Sequence, residues 1–190
     1  MLPNLTIRPE EPKDYKSIVS LILGSFQKGT DYSDGTDIIA LVEEIRASEY
    51  HLPELSFVAE LEGQIVGHFL FSKFPLSPTR EGGRHHDTSS GIVMLAPVSV
   101  HPDFFRRGIG STMLKLGIEK VKAAGYRGIT VEGNFRFYNQ VGFRTSSEFG
   151  IYPTSGIPLG EPRCMMCQET YPGSLTDAHG YIVYDMYYNA

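Results

Sequence analysis

The 190-residue sequence has no run of ~18 apolar residues, the length a helix needs to cross a bilayer, so no segment reads as a membrane span. It has no low-complexity tract. Excess positive charge is also missing. Lys and Arg number 17 against 22 Asp and Glu, giving a formal net charge of −5. That argues against general nucleic-acid binding, which needs a basic surface. Residues 1–11 lack a charged region followed by an apolar core, so they read as the start of a fold rather than an export signal, and the expected location is cytoplasmic. Cysteine is scarce: Cys164 and Cys167 form a single Cys-x-x-Cys. A zinc site lacks its second pair, and a redox pair wants a helix N-terminus to stabilise the thiolate. Here the motif lies in what reads as a strand, so two plain buried or half-buried thiols are expected. His85-His86-Asp87 falls in a polar loop over 75–90, where adjacent histidines are normally solvated, and no metal site is expected there.

What remains is an ordinary globular composition, 41% hydrophobic and 21% charged, of a length suited to one domain over residues 1–190. A chain of this size can bury roughly 70% of its unfolded surface. A short strand is expected at 5–8. A helix follows from Pro12, with Tyr15, Ile18, Val19 and Ile22 at helical spacing and Gly24 as its end. A second helix over 36–48 carries Ile38, Leu41, Val42 and Ile45 on one face. The polar linker between them, 29–35, can border a substrate pocket. Two strands, 55–60 and 64–71, flank Glu62-Gly63, a tight hairpin turn.

Residues 91–101 form a long apolar stretch that reads as a central strand. Pro97 interrupts it, and proline gives no ladder donor, so a bulge or splay is expected there. A helix over 108–124 stops at Gly125, followed by a strand at 127–132 and a short helix at 135–141 stopped by Gly142. Strands are expected at 163–169 and 181–188. The strand–helix–strand order over 92–132 implies a parallel pair in an otherwise mostly antiparallel, mixed sheet, an α/β fold.

The chemistry concentrates where that central strand ends. Val100-His101-Pro102 leads into a turn, Asp103-Phe104-Phe105-Arg106-Arg107-Gly108-Ile109-Gly110-Ser111-Thr112, and a helix begins. The first N–H groups of a helix have no internal partner and sit at the positive end of its dipole. Glycine lets a ligand approach the backbone closely. Arg106 and Arg107 add charge at the mouth, and Ser111 and Thr112 offer hydroxyls, so the turn is a ready phosphate cradle. It lacks the Gly-Lys-Ser/Thr ending of a P-loop and the three-glycine dinucleotide fingerprint. The blander alternative is a helix start with a close packing contact and two solvated arginines.

Arg-Arg-Gly-Ile-Gly after Val-x-Pro-x-x-x resembles the pyrophosphate-binding motif of the GNAT acetyltransferases, Gln/Arg-x-x-Gly-x-Gly/Ala. About thirty residues on, Phe137-Tyr138-Asn139-Gln140-Val141-Gly142-Phe143 resembles that family's Tyr-x-x-x-Gly-Phe segment. Leu95-Ala96-Pro97-Val98-Ser99-Val100 and Val131-Glu132-Gly133 resemble the YhbS-like subgroup of predicted bacterial N-acetyltransferases. The resemblance is strongest over 95–143, and the first motif position, Gln or Arg in the family, is Phe105. It implies a single GNAT-like domain: a mixed, mostly antiparallel sheet with a central splayed parallel strand pair, flanked by helices. It also implies acetyl-coenzyme A as cosubstrate and no metal. Backbone groups near Val98 and Val100 would hold the pantetheine arm. The amides of Arg106, Arg107, Gly108, Ile109, Gly110 and Ser111 would hold the pyrophosphate.

Transfer to an amine needs two proton movements. Tyr138 matches the family's acid for the leaving thiolate; its bland reading is a core tyrosine. The central strand has no carboxylate to serve the attacking ammonium, and Glu132 on the next strand is the nearest candidate by topology, against the reading that it is a surface carboxylate. His68 and His101, as the side chains suited to proton exchange, stand as further candidates, as does a water chain. His101 fits better as a residue that positions the turn. The acceptor is expected to be a small-molecule or peptide amine, with no nucleic acid and no membrane. The aromatic strand at 181–188 could pair two copies as a homodimer or be internal to the sheet. The leading alternative is a GNAT-like module that binds coenzyme A as a sensor without catalysis.

Overall fold

A computed structural model describes residues 4–30, 33–73, 76–80, 89–153 and 161–182. The chain forms two compact units, Met1–Ser72 with Leu95–Gly117, and Lys73–Met94 with Ile118–Ala190.

The first unit begins with β1 (Leu5–Pro9), a 3-10 turn at Pro12–Asp14 and α1 (Tyr15–Gly29). Gly24 was expected to end this helix, but α1 continues five residues further. An isolated glycine costs a helix only ~1 kcal/mol and does not terminate it unless the backbone turns left-handed. The end comes at extended Thr30, whose N–H and hydroxyl both donate to the Phe26 carbonyl, at 3.1 and 3.3 Å. α2 (Thr36–Ala47) follows, then β2 (His51–Leu61) and β3 (Gln64–Lys73). The hairpin turn forms as expected: Leu61 stands opposite Gln64, and Glu62 and Gly63 are both left-handed, φ 51° and 82°. β1 pairs antiparallel to β2, β2 antiparallel to β3, and β5 (Ile92–Val100) lies beyond β3. Ile18, Leu21 and Ile22 of α1 and Val42 and Ile45 of α2 are buried, which is the amphipathic stripe the spacing implies. α3 (Ile109–Ala123) buries Met113 and Leu114. Its Gly117 lies so close to β3 that an added Cβ would come within 2.7 Å of the Phe69 ring and 2.9 Å of the Phe71 ring.

The second unit holds the first part of β5, which pairs in parallel with β6 (Gly128–Glu132) over Ile92↔Gly128, Val93↔Ile129 and Met94↔Thr130. The register ends at Met94, although β5 continues to Val100 and β6 to Glu132; Ala96–Pro97, beyond the residues paired with β6, is cis. β6 pairs antiparallel with β9 (Met165–Glu169), and β9 with β7 (Arg144–Thr145). A separate three-stranded sheet, β4 (Leu76–Ser77), β10 (Gly180–Ile182) and β8 (Ile151–Pro153), was not foreseen. Its strands are two or three residues long, too short to show a period. α4 (Phe135–Tyr138) runs into a 3-10 turn stopped by left-handed Gly142. Cys164 and Cys167 are buried and unbonded to each other, and burial pushes the Cys167 thiol up to about 12, which disfavours a thiolate. His85-His86-Asp87 and residues 183–190 lie outside the described residues, so the expected terminal strand is seen only as β10. Among the described residues no helix is long and apolar enough to cross a membrane.

The first unit also buries a charge cluster that the sequence pattern does not announce. Glu10, just after β1, accepts two bonds from the Arg46 guanidinium of α2, at 3.0 and 2.9 Å. The same carboxylate lies 2.8 Å from Nε2 of His68 on β3, whose side chain is fully buried. Arg46 in turn stacks over the Tyr15 ring, 3.9 Å from its centroid. Burial raises the Glu10 carboxyl, but the bonds from His68 and Arg46 outweigh it and hold it at about 2. Burial lowers His68 below its usual value despite the carboxylate, so the ring is neutral at pH 7.

Two outcomes follow from this packing. Gly117→Ala should cost ~1–3 kcal/mol in urea unfolding, because two aromatic rings packed in a core must move; a variant as stable as the wild type would contradict the close approach. Acidification should also destabilise the chain. Below pH ~6.5 the unfolded state takes up a proton at His68 that the folded state refuses, and below ~4.5 the same holds at Glu10 until the pH nears its folded value of about 2. Each such proton contributes a slope of at most ~1.4 kcal/mol per pH unit. An unfolding midpoint that rises between pH 7.5 and 5.5 would contradict this sign.

Candidate active site

The end of β5 is tied into the first unit at two points. The Val100 N–H donates to Ser25 Oγ of α1 at 3.3 Å, and the His101 N–H donates to the Val66 carbonyl of β3 at 2.8 Å. Pro102–Phe104 then forms a 3-10 turn. Its cap is His101, whose Nδ1 accepts from the Asp103 N–H at 3.3 Å and whose ring meets Phe104 edge-on. That gives His101 the turn-positioning place expected of it. Phe105, the departure from the family pattern, is half-buried and sets its ring edge 3.5 Å from where a Gly29 Cβ would be. Its side chain serves packing against the end of α1.

The backbone then takes an unusual path. Arg106 is left-handed at φ 60° and Gly108 at φ 83°, on either side of Arg107. A non-glycine residue in this region is uncommon and costs energy. Closely spaced left-handed residues bend successive N–H groups toward one side, a concavity suited to anions. The first intrahelical bond of α3 runs from the Thr112 N–H to the Gly108 carbonyl at 3.0 Å, so the amides of Ile109, Gly110 and Ser111 precede the ladder. An added Cβ at Gly108 would meet nothing within 4 Å, so the turn is open on that side. Arg106 and Arg107 are exposed, and the Arg107 guanidinium lies 5.3 Å from the Phe104 ring centroid. Thr112, expected to offer its hydroxyl to the anion, instead donates it to the Gly108 carbonyl at 3.0 Å. Ser111 is half-buried at the helix start. The cradle is therefore mostly backbone, with two arginines at its rim. On β5, Val98 and Val100 are half-buried and alternate with buried Pro97 and Ser99.

In the second unit, Tyr138 is buried at the end of α4, edge-on to Phe137 and Phe143 at 5.1 and 5.6 Å. Asn134 caps α4 by accepting from the Arg136 N–H, which fixes where the tyrosine leaves the helix. Gly133 belongs to this arrangement, since at φ 154° a Cβ there would come within 2.9 Å of the Tyr138 ring. Glu132 is exposed at the end of β6, opposite Met165.

Of the residues singled out in the sequence, the structure gathers Arg106 to Ser111 into one turn and places Val98 and Val100 on the strand that leads to it. The sequence missed Glu10 and Arg46: Glu10 meets His68 across 58 residues of chain and Arg46 across 36. Glu10 stands in the charged run Glu10-Glu11-Pro12-Lys13-Asp14, which reads as surface, and no periodicity marks a pairing of that range. His68 was visible only as a histidine on a strand.

With this geometry established, three comparisons bear on the chain. The model of the acetyltransferase (GNAT) family matches residues 21–143. An Escherichia coli protein bearing the name uncharacterized N-acetyltransferase YjhQ is 29% identical over 153 residues, covering 73% of this chain and 81% of its own. A Brucella melitensis GNAT family acetyltransferase, solved in complex with acetyl-CoA, is 25% identical with a TM-score of 0.72, over 97% of this chain and 98% of that one. The E. coli GNAT family N-acetyltransferase YhbS, solved with CoA, superposes with a TM-score of 0.79 at 21% identity, covering 98% and 93% of the two chains, and shows the shared fold. A cradle of backbone amides at the end of a central strand, a tyrosine on the following short helix and a family match spanning both lead to one conclusion: the chain belongs to the acetyltransferase (GNAT) family.

Proposed function

We propose that this protein transfers an acetyl group from acetyl-coenzyme A to a primary amine of a small molecule or peptide by direct attack. The observation that carries the reading is the Arg106–Ser111 turn, with its amides ahead of the helix ladder, open space at Gly108 and two exposed arginines. The pyrophosphate of coenzyme A fits such a turn, because a doubly negative diphosphate needs several donors and a close backbone approach. Two relatives solved with coenzyme A or its acetyl form support the same choice of ligand.

In this reading, the backbone near Val98 and Val100 holds the pantetheine arm, and the amides of Arg106, Gly108, Ile109, Gly110 and Ser111 hold the pyrophosphate; that of Arg107, expected among them, donates to the Phe104 carbonyl at 3.4 Å. The amine nitrogen attacks the thioester carbonyl, the new C–N bond forms and the C–S bond breaks. Tyr138 gives its phenolic proton to the departing sulfur; an ordinary phenol, with a pKa near ~10, is protonated at neutral pH and able to do so. Glu132, exposed at the end of β6, is the carboxylate proposed to draw a proton from the attacking ammonium. The alternative, a module that binds coenzyme A without turnover, is favoured by one observation: β5 itself carries no Asp or Glu.

Calorimetric titration with acetyl-coenzyme A tests the cradle. The wild type should bind, and Gly108→Glu, which sets a carboxylate where the pyrophosphate belongs, should lose binding altogether. A wild type that does not bind would overturn the reading. In a thiol-release assay over an amine panel, Tyr138→Phe should lower kcat on the order of 10²-fold at unchanged acetyl-coenzyme A affinity. Binding with no turnover of any amine would move the assignment to the sensor.

A further inference from the structure

Buried polar atoms almost always find a partner, and an exception calls for a reason. Among the described residues of the first unit three buried side-chain atoms have none: Nδ1 of His68, Oγ of Ser99 and Nε2 of His51. The first two belong to neighbouring strands, β3 and β5, and are not bonded to each other. α3 runs alongside β3 in the same direction, since Met113 packs at Gly67 while Gly117, one turn on, packs at Phe69 and Phe71. In the β5–α3–β6 crossover, α3 must run opposite to β5. β3 and β5 are therefore antiparallel neighbours, and the bond from the His101 N–H to the Val66 carbonyl sets their register. Counting two residues along each strand puts Ser99 opposite His68, on the same face of the sheet.

The other side of the His68 ring is already fixed. Neutral His68 has one N–H, and Nε2 is 2.8 Å from ionised Glu10, so Nε2 carries the hydrogen and Nδ1 keeps its lone pair. Arg46 neutralises Glu10 through two bonds and is held in turn by Tyr15. A carboxylate that sets a histidine's tautomer and steadies the imidazolium it can become is the arrangement by which a buried imidazole accepts a proton. Ser99 stands between Val98 and Val100, the strand assigned above to the acyl donor.

We propose that Ser99 and His68 form a proton relay serving the acceptor amine, with Glu10 and Arg46 as positioning residues. The inference rests on the transfer reading above, with the relay taking the ammonium proton in place of Glu132. One ammonium proton passes through water to Ser99 Oγ, which is buried, as a rotation of the Ser99 side chain carries its hydrogen to His68 Nδ1, to which it is not bonded in this structure. The amine lone pair then forms the C–N bond. The second nitrogen proton, released as the C–S bond breaks, balances the one Tyr138 gives to sulfur. Once the amide product has left, the imidazolium releases this proton through Ser99 to solvent water. The titratable groups around the relay are Glu10, Arg46 of α2 and, near these two, His51 of β2, which in turn lies near Glu54.

Ser99→Ala, His68→Gln and Glu10→Gln, made in the full chain, test it; Ser99→Ala removes one atom and leaves the ionic cluster intact should the other two fold poorly. The expected result is a kcat reduced on the order of 10²-fold in Ser99→Ala and His68→Gln, with unchanged acetyl-coenzyme A affinity and loss of the acid limb of the pH–rate profile. Nitrogen-15 spectra of histidine-labelled protein should show a neutral His68 with a bare Nδ1 whose resonance moves in Ser99→Ala. An Nδ1–H tautomer, or turnover within twofold of wild type in both variants, overturns the relay, as does Glu132→Gln stopping turnover while the relay variants do not. A wild type that binds acetyl-coenzyme A and turns over no amine instead sinks the transfer reading, and the relay with it.

Discussion

An α-helix cannot satisfy its own first amides, and the candidate site is built around that deficit. The start of α3 must stay reachable by a ligand, yet its position must be fixed. The fixing is done upstream: the Val100 and His101 amides bind to Ser25 and Val66, Phe105 packs on the end of α1, and His101 caps the preceding turn. Between these anchors and the helix, left-handed Arg106 and Gly108 turn the chain. The strain of a left-handed arginine is accepted where the backbone has to present its donors outward.

Charge is treated differently elsewhere in the first unit. At the turn the arginines are exposed and the donors are amides. Beneath α2 a carboxylate, a guanidinium and an imidazole are withdrawn from water. Such a cluster is weak evidence for stability, because desolvation offsets much of the attraction. What it does achieve is definition: the tautomer of His68 and the orientation of its ring follow from Glu10, and Glu10 is set by Arg46. The same contacts join the end of β1, α2 and β3 without any continuous hydrophobic pattern between them.

Local signals were legible where one residue decides one dihedral. Glu62-Gly63 gave the hairpin, and Gly125 and Gly142 ended their helices with positive φ, while the β5–β6 register stops at Met94, three residues before Pro97. Gly24 misled, since a glycine without a left-handed backbone is only a weak point in a helix. The Arg106–Ser111 turn could be read because its donors are sequential in the chain. Glu10, Arg46 and His68 could not, because nothing local to any of them encodes the other two.

The sequence by itself determined the helical faces, the turn positions, the cradle and, through two spaced motifs, the family. These follow from covalent geometry and short-range periodicity, which act within a few residues. Only the tertiary structure decided that Thr112 spends its hydroxyl on its own helix, that Gly133 makes room for Tyr138, and that a glutamate from a surface-like run is buried against a histidine on β3. Those outcomes depend on which strands become neighbours and in what register, and register is a property of the assembled sheet.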